Sequence, residues 1–186
     1  MPEVIEQIVS VYRRRGVMKY GAECVTQMQH AIQCGTLAIN ENSSDAMVVA
    51  ALLHDIGHIL ETDTLPAGDA ANFDDAHESV GYSFLREHFG ADVADPVLLH
   101  VPAKRYLCTK HPEYEATLSP TSLQSYHDQG GRMSEKELRL FASEPYFVEA
   151  LKLRHWDDTA KDIDADMPHF DEFVPYLQRC LSCASR

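Results

Sequence analysis

His54 and Asp55 stand side by side at the end of the most apolar segment of the chain, whose centre reads Val48-Val49-Ala50-Ala51-Leu52-Leu53. A segment that is apolar on every side is a buried helix. An ionised carboxylate beside an imidazole is costly there unless a cation compensates it. A metal ion is the simplest such cation. For an isolated pair, a histidine bonded to backbone with Asp55 capping a turn would serve as well. The pair is not isolated. His30 lies midway along the preceding predicted helix, His77 opens the next, His100 falls on the one after, and Asp157 follows Trp156 at a helix end. Four imidazoles and two carboxylates from five successive helices make a two-metal site at the centre of a bundle. Asp55 is its natural bridge, because two oxygens can reach two ions. Metals about 3.5–4 Å apart through such a bridge suit hydrolysis or oxygen chemistry. Mixed nitrogen and oxygen ligation fits iron or manganese without excluding others.

Cations stand close to these ligands. Lys104 lies one helical turn beyond His100 and projects beside the second metal. Arg154 sits three residues before Asp157, and its guanidinium fork suits the paired oxygens of an oxyanion. The chain carries 16 Lys and Arg against 29 Asp and Glu, a net charge of −13. That balance excludes a broad nucleic-acid or anionic-membrane surface, yet leaves room for a small anionic substrate where a few cations converge.

The elements that must position these groups are helical. Across the 186 residues, hydrophobic residues make up 45% and charged residues 24%, which argues one folded domain over 1–186 rather than disorder. Ile5, Ile8, Val9 and Tyr12 predict an amphipathic helix over 3–15. Further helices are predicted over 23–39, 45–59, 75–89 and 92–105, with a loop over 61–74. Ser119-Pro120 opens another that Gly130-Gly131 ends, and Ser134 to Glu137 is a capping box opening the next. Helices over 145–156 and 171–183 close an all-α bundle. No stretch approaches the ~18 uninterrupted apolar residues of a membrane span. The five cysteines follow no secretory-type apolar segment, so they read as reduced thiols in a cytoplasmic protein. Cys180 and Cys183 form a lone CxxC without the second pair a structural zinc site needs.

His30, His54-Asp55 and Asp157 resemble the pattern of the HD-domain superfamily, and His77 and His100 resemble the extra histidines of its two-metal members. Most of that superfamily are phosphohydrolases, which makes hydrolysis of a nucleotide or phosphoester one reading. Longer motifs point elsewhere. Tyr20-Gly21-Ala22-Glu23, His54-Asp55-Ile56-Gly57-His58, Lys104-Arg105-Tyr106-Leu107, Gln129-Gly130-Gly131 and Arg154-His155-Trp156-Asp157 resemble the HD-domain mixed-valent diiron oxygenases that cleave carbon–phosphorus bonds. Myo-inositol oxygenase is a more distant likeness.

This resemblance implies an HD-domain helical bundle with a dinuclear centre in its core. His30, His54 and Asp157 would hold one iron, His77 and His100 the other, and Asp55 would bridge an Fe(II)/Fe(III) pair that uses O2 as co-substrate. Tyr20 resembles the tyrosine that occupies an iron position until substrate displaces it, and Glu23 its partner in that gating. His58, Lys104, Ser122, Gln129 and Arg154 match the phosphonate pocket. The implied reaction is O2-dependent cleavage of a small 1-hydroxyphosphonate to phosphate and a carboxylate. The chain looks most like enzymes of (R)-1-hydroxy-2-(trimethylammonio)ethylphosphonate, which form glycine betaine; the 2-amino analogue, giving glycine, is the alternative. A quaternary ammonium needs aromatic faces and diffuse negative charge, and Phe73 among Asp69, Asp74 and Asp75 offers both. No nucleic-acid or membrane partner is implied, and the chain is expected as a monomer or small homo-oligomer.

Overall fold

The computed structural model describes residues 1–60 and 70–181, of which 70–78 are described in backbone only. The first helix, α1 (Glu3–Arg15), has glutamates in its first turn and three arginines in its last, which complements the helix dipole. Its buried face includes Ile5, Ile8, Val9 and Tyr12. Tyr12 ties it to the core by donating its hydroxyl to the Leu52 carbonyl at 2.9 Å.

The second helix, α2 (Gln27–Asn40), starts later than the predicted residue 23. Thr26 and Gln29 form a reciprocal capping box that fixes the start, with Thr26 N–H donating to Gln29 Oε1 at 2.8 Å. Residues 19–26 form a turn instead, closed by a bridge between Lys19 and Thr26 and by the Tyr20 N–H to the Val25 carbonyl at 3.0 Å. Gly21 takes φ +54° in that turn, a conformation that favours glycine. Tyr20 and Glu23 are therefore loop residues facing the bundle, not helical neighbours.

Helix α3 (Asp45–Leu53) is buried on every side and ends before His54, whereas the apolar pattern carried it to residue 59. A single 3-10 turn, Ile56–His58, follows. Helix α4 (Ala70–Phe89) begins before the predicted residue 75. Gly81 brings α4 against that turn, since a Cβ there would lie 3.2 Å from the Gly57 nitrogen. Helix α5 (Ala91–Lys110) runs past the predicted residue 105 and contains both Pro96 and Pro102. A short α6 (Pro112–Glu115), which the sequence reading lacked, leads to α7 (Pro120–Asp128). Ser119 caps α7 and Ser134 caps α8 (Glu135–Ala142) as the motifs predict. Helix α9 (Phe147–Thr159) and α10 (Val174–Cys180) complete the chain, the latter preceded by a 3-10 turn at Phe170–Phe173.

No strand occurs among the described residues. The core gathers around α3, which packs against α2, α5, α9 and α10, while α5 also packs along α9 and α4. A second cluster, Ala103, Met133, Leu138, Phe141 and Ala150, seats α8 on α5 and α9. No described helix is long and apolar enough to cross a membrane. The described cysteines are free thiols, and Cys183, with the CxxC it completes, lies outside the described residues.

Candidate metal centre

The packing of α2, α3, α5 and α9 brings His30, His54, His100 and Asp157 to one buried locus, each with under a tenth of its surface exposed. Three imidazoles are set in the same way. His30 Nδ1 lies 2.8 Å from the Ala160 carbonyl, His54 Nδ1 2.9 Å from that of Ala51, and His100 Nδ1 2.5 Å from that of Val97. A carbonyl can only accept, so each Nδ1 carries a proton, which leaves Nε2 to face any further partner.

Two of these nitrogens meet. His30 Nε2 and His54 Nε2 are 3.3 Å apart. Asp157 Oδ1 lies 3.3 Å from the first and Asp55 Oδ2 3.3 Å from the second, with both cross-distances 3.9 Å. Four acceptor atoms converging at such spacing repel one another unless a cation or a proton sits among them. Two imidazole nitrogens and two carboxylate oxygens are a donor set that fits a divalent or trivalent first-row metal. Cys34, one turn beyond His30, places its sulfur 3.7 Å from His30 Nε2, so that the ligand atoms of His30, Cys34 and His54 all lie within 4.8 Å of one another. Asp55 directs Oδ2 at His54, while His58 Nε2 stands 4.0 Å from Oδ1. The two oxygens thus have different imidazole neighbours, and the His54 and His100 rings meet edge-on with their centroids 5.4 Å apart. The backbone carries residue 77 one turn before Gly81 on α4, but the His77 side chain lies outside the described residues.

The charge states agree with this geometry. Burial opposes charge on His54, yet Asp55 and then Asp157 outweigh it and raise the imidazole to about 9. Burial also works against ionisation of Asp55 and Asp157. For Asp55 the neighbouring His54 wins, and for Asp157 Arg154 and His30 do, so both stay well below the usual carboxylate range. His100 is pushed down to about 4 by burial and by the charge on His54, which keeps its imidazole neutral and able to ligate.

Above this locus opens a cavity of about 240 Å³. Of the residues singled out in the sequence, Tyr20, Glu23, His58, Lys104, Ser122 and Gln129 line it, together with His54, Asp55, His100, Arg154 and Asp157 at its floor. Tyr20 lies over His30, stacked at 3.9 Å, and its hydroxyl donates to Asp157 Oδ1 at 3.2 Å. Burial, then Asp157 and Asp55, keep that phenol protonated. Lys104 is buried and donates to Ser125 Oγ at 2.6 Å. Arg154 is spread over α9 itself. Its Nη1 donates to Asp157 Oδ2 at 2.7 Å, its Nε to Asp158 Oδ2 at 3.1 Å, and its Nη2 also contacts Asp158. Asp158 and Tyr114, which complete that network, carried no sequence signal beyond the helical spacing of Arg154 and Asp158.

Lys161 was also missed. It follows the end of α9 four residues after Asp157, a spacing that could have flagged it, and it bonds to the side chains around the cavity mouth. This arrangement, a helical bundle enclosing His and Asp side chains around a single buried focus, defines a class. Residues 15–141 match the HD domain family, and the chain belongs to it. It is 40% identical over 159 residues to hydroxymethylphosphonate dioxygenase of Gimesia maris, covering 86% of this chain and 79% of that protein. It is also 35% identical over 176 residues to [1-hydroxy-2-(trimethylamino)ethyl]phosphonate dioxygenase (glycine-betaine-forming) of Leisingera caerulea, covering 95% and 89%. With such similarity over most of its length, the protein is an enzyme of the oxidoreductase class.

Proposed function

We propose that the enzyme cleaves the carbon–phosphorus bond of a small 1-hydroxyphosphonate, consuming dioxygen and releasing phosphate and a carboxylate. The observation that carries this reading is the junction of the four converging donor atoms with a cavity walled by Lys104, Ser122 and Gln129. His30, His54 and Asp157 would hold one iron, His77 and His100 a second, and Asp55 the bridge. When bound, the mixed-valent Fe(II)/Fe(III) pair supplies the redox chemistry with dioxygen. The chain's own residues bind and orient. Lys104 offers a buried cation to the phosphonate, and Ser122, Gln129 and His58 offer polar groups around it. Arg154 adds positive charge beneath the cavity while it holds Asp157. Tyr20 covers His30 and Asp157 until substrate moves it aside, so that oxidation waits for substrate.

Of the candidate substrates, the cavity favours hydroxymethylphosphonate, whose oxidation by one O2 yields formate, phosphate and a proton. Apart from imidazoles, Tyr20 is the sole aromatic side chain among the described cavity residues, and its ring is already stacked on His30. Among these described residues a quaternary ammonium finds little aromatic surface. The trimethylammonio substrate, giving glycine betaine, is the second reading, favoured by the 35% identity over nearly the whole chain; the side chain of Phe73, on which its sequence argument rested, lies outside the described residues.

The test is phosphate release from hydroxymethylphosphonate and from the trimethylammonio and amino analogues, with iron and ascorbate, in air and under argon. Release in air alone is the expected result. Release from none of the three would reject the reading and turn the search to phosphoester hydrolysis with manganese.

A further inference from the structure

Lys161 sits just past the C-terminal end of α9, with 14% of its side chain exposed. Its Nζ lies 3.4 Å from Glu23 Oε1, donates to Ser122 Oγ at 3.1 Å and to Ser119 Oγ at 3.4 Å, and rides 5.9 Å above the Tyr20 ring. Ser119 in turn donates to the same Glu23 oxygen at 2.5 Å. One ammonium therefore ties the turn that carries Tyr20 and Glu23 to the start of α7, where Ser122 stands.

The consequence is electrostatic. Among the described residues, three carboxylates line the cavity: Asp55, Asp157 and Glu23. The first two face the histidines, so of these three Glu23 is the one available to a positive group on a substrate's tail. Its charge is already met by Lys161 in a partly buried pair, where screening by water is weak. A cationic tail entering here gains little from Glu23 and meets the Lys161 ammonium besides.

We infer that Lys161 is a specificity-determining residue: by neutralising Glu23 it sets the cavity to take hydroxyphosphonates with an uncharged tail and to disfavour those bearing an ammonium. This rests on the functional reading above. Lys161 does not touch the reacting carbon; it acts through Glu23.

The two residues then predict shifts of opposite sign. The quantity is the ratio of kcat/KM for 1-hydroxy-2-(trimethylammonio)ethylphosphonate over hydroxymethylphosphonate, measured on the iron-loaded enzyme. The ratio of dissociation constants, from calorimetry under argon where no turnover occurs, is read alongside. Lys161→Met frees the Glu23 carboxylate, and the preference for the cationic substrate rises by roughly tenfold. Glu23→Gln leaves the ammonium unpaired, and the same preference falls below that of the wild type. The double variant returns close to the wild-type value, and Lys161→Arg keeps it. A purely structural role for Lys161 would lower both substrates alike and leave the ratio unmoved. Wild-type enzyme that cleaves or binds these compounds while Lys161→Met and Glu23→Gln leave the ratio unchanged, or shift it in one direction together, overturns the inference alone. Wild-type enzyme that neither binds nor cleaves any of them overturns the functional reading and the inference with it.

Discussion

Arg154 Nη1 donates to Asp157 Oδ2 at 2.7 Å, and Asp157 presents its other oxygen to His30 Nε2 at 3.3 Å. The guanidinium thus occupies one oxygen and aims the second at the His30 imidazole, as outer partners orient a carboxylate in the proposed metal centre. Arg154 is itself buried, and Asp158 takes its remaining donors. Removing it leaves two carboxylates short of a counter-charge, one of them deep in the core.

Arg154→Met is therefore expected to weaken metal binding by about 10–100-fold. It should also lower stability by roughly 3–5 kcal/mol, the range for a buried pair that loses one partner. Metal content after gel filtration and thermal unfolding of the metal-free protein check the two effects separately. Full metal occupancy in the variant would show that Asp157 needs no such support.

Tyr20 offers a second check. Its ring covers His30, and its hydroxyl reaches Asp157 Oδ1. Tyr20→Phe keeps the stacked ring and loses the oxygen, so iron should remain bound while the iron spectrum of the substrate-free enzyme changes. An identical spectrum would place the phenol outside the coordination sphere.

These relationships were unequally legible in the sequence. Local signals carried α1, α7 and α8, because Ser119, Pro120, Ser134 and Glu137 act within a single turn. The start of α2 was missed because Glu23, Cys24 and Val25 have no intrinsic objection to a helix. The capping box at Thr26 and the left-handed Gly21 decide against it. Helix α3 was read too long because burial on all sides hides where a helix stops. The convergence of His30, His54, Asp55, His100 and Asp157 was legible because histidine and aspartate stand out by residue type in so apolar a setting. Lys161 was not, since an isolated lysine acquires meaning only from Glu23, 138 positions away in the chain and 3.4 Å away in space.

With His54 as a ligand of the proposed metal centre, competition between a proton and the ion gives a pH dependence with a definite sign. In the metal-free protein the imidazole is raised from 6.5 to about 9, against burial, by Asp55 and Asp157. A group whose folded pKa is raised contributes stability that is complete below its unfolded value and lost as pH climbs through the folded one. His100 runs the other way, lowered from 6.5 to about 4, so its contribution is present above 6.5 and lost as pH falls towards 4. The metal-free protein should accordingly melt highest near pH 6.5, with the melting temperature falling progressively towards pH 4 and towards pH 9. A metal ligand must be neutral imidazole, so binding below pH 9 expels the His54 proton, and apparent affinity should rise by about tenfold per pH unit up to that point. The metal-loaded protein has no such proton left to lose, and its melting temperature should hold through the alkaline range where that of the metal-free protein declines. Calorimetric melting of both forms from pH 4 to 9.5 measures this directly. Equal alkaline decline in the two forms would mean that the His54 proton and the metal do not share one position.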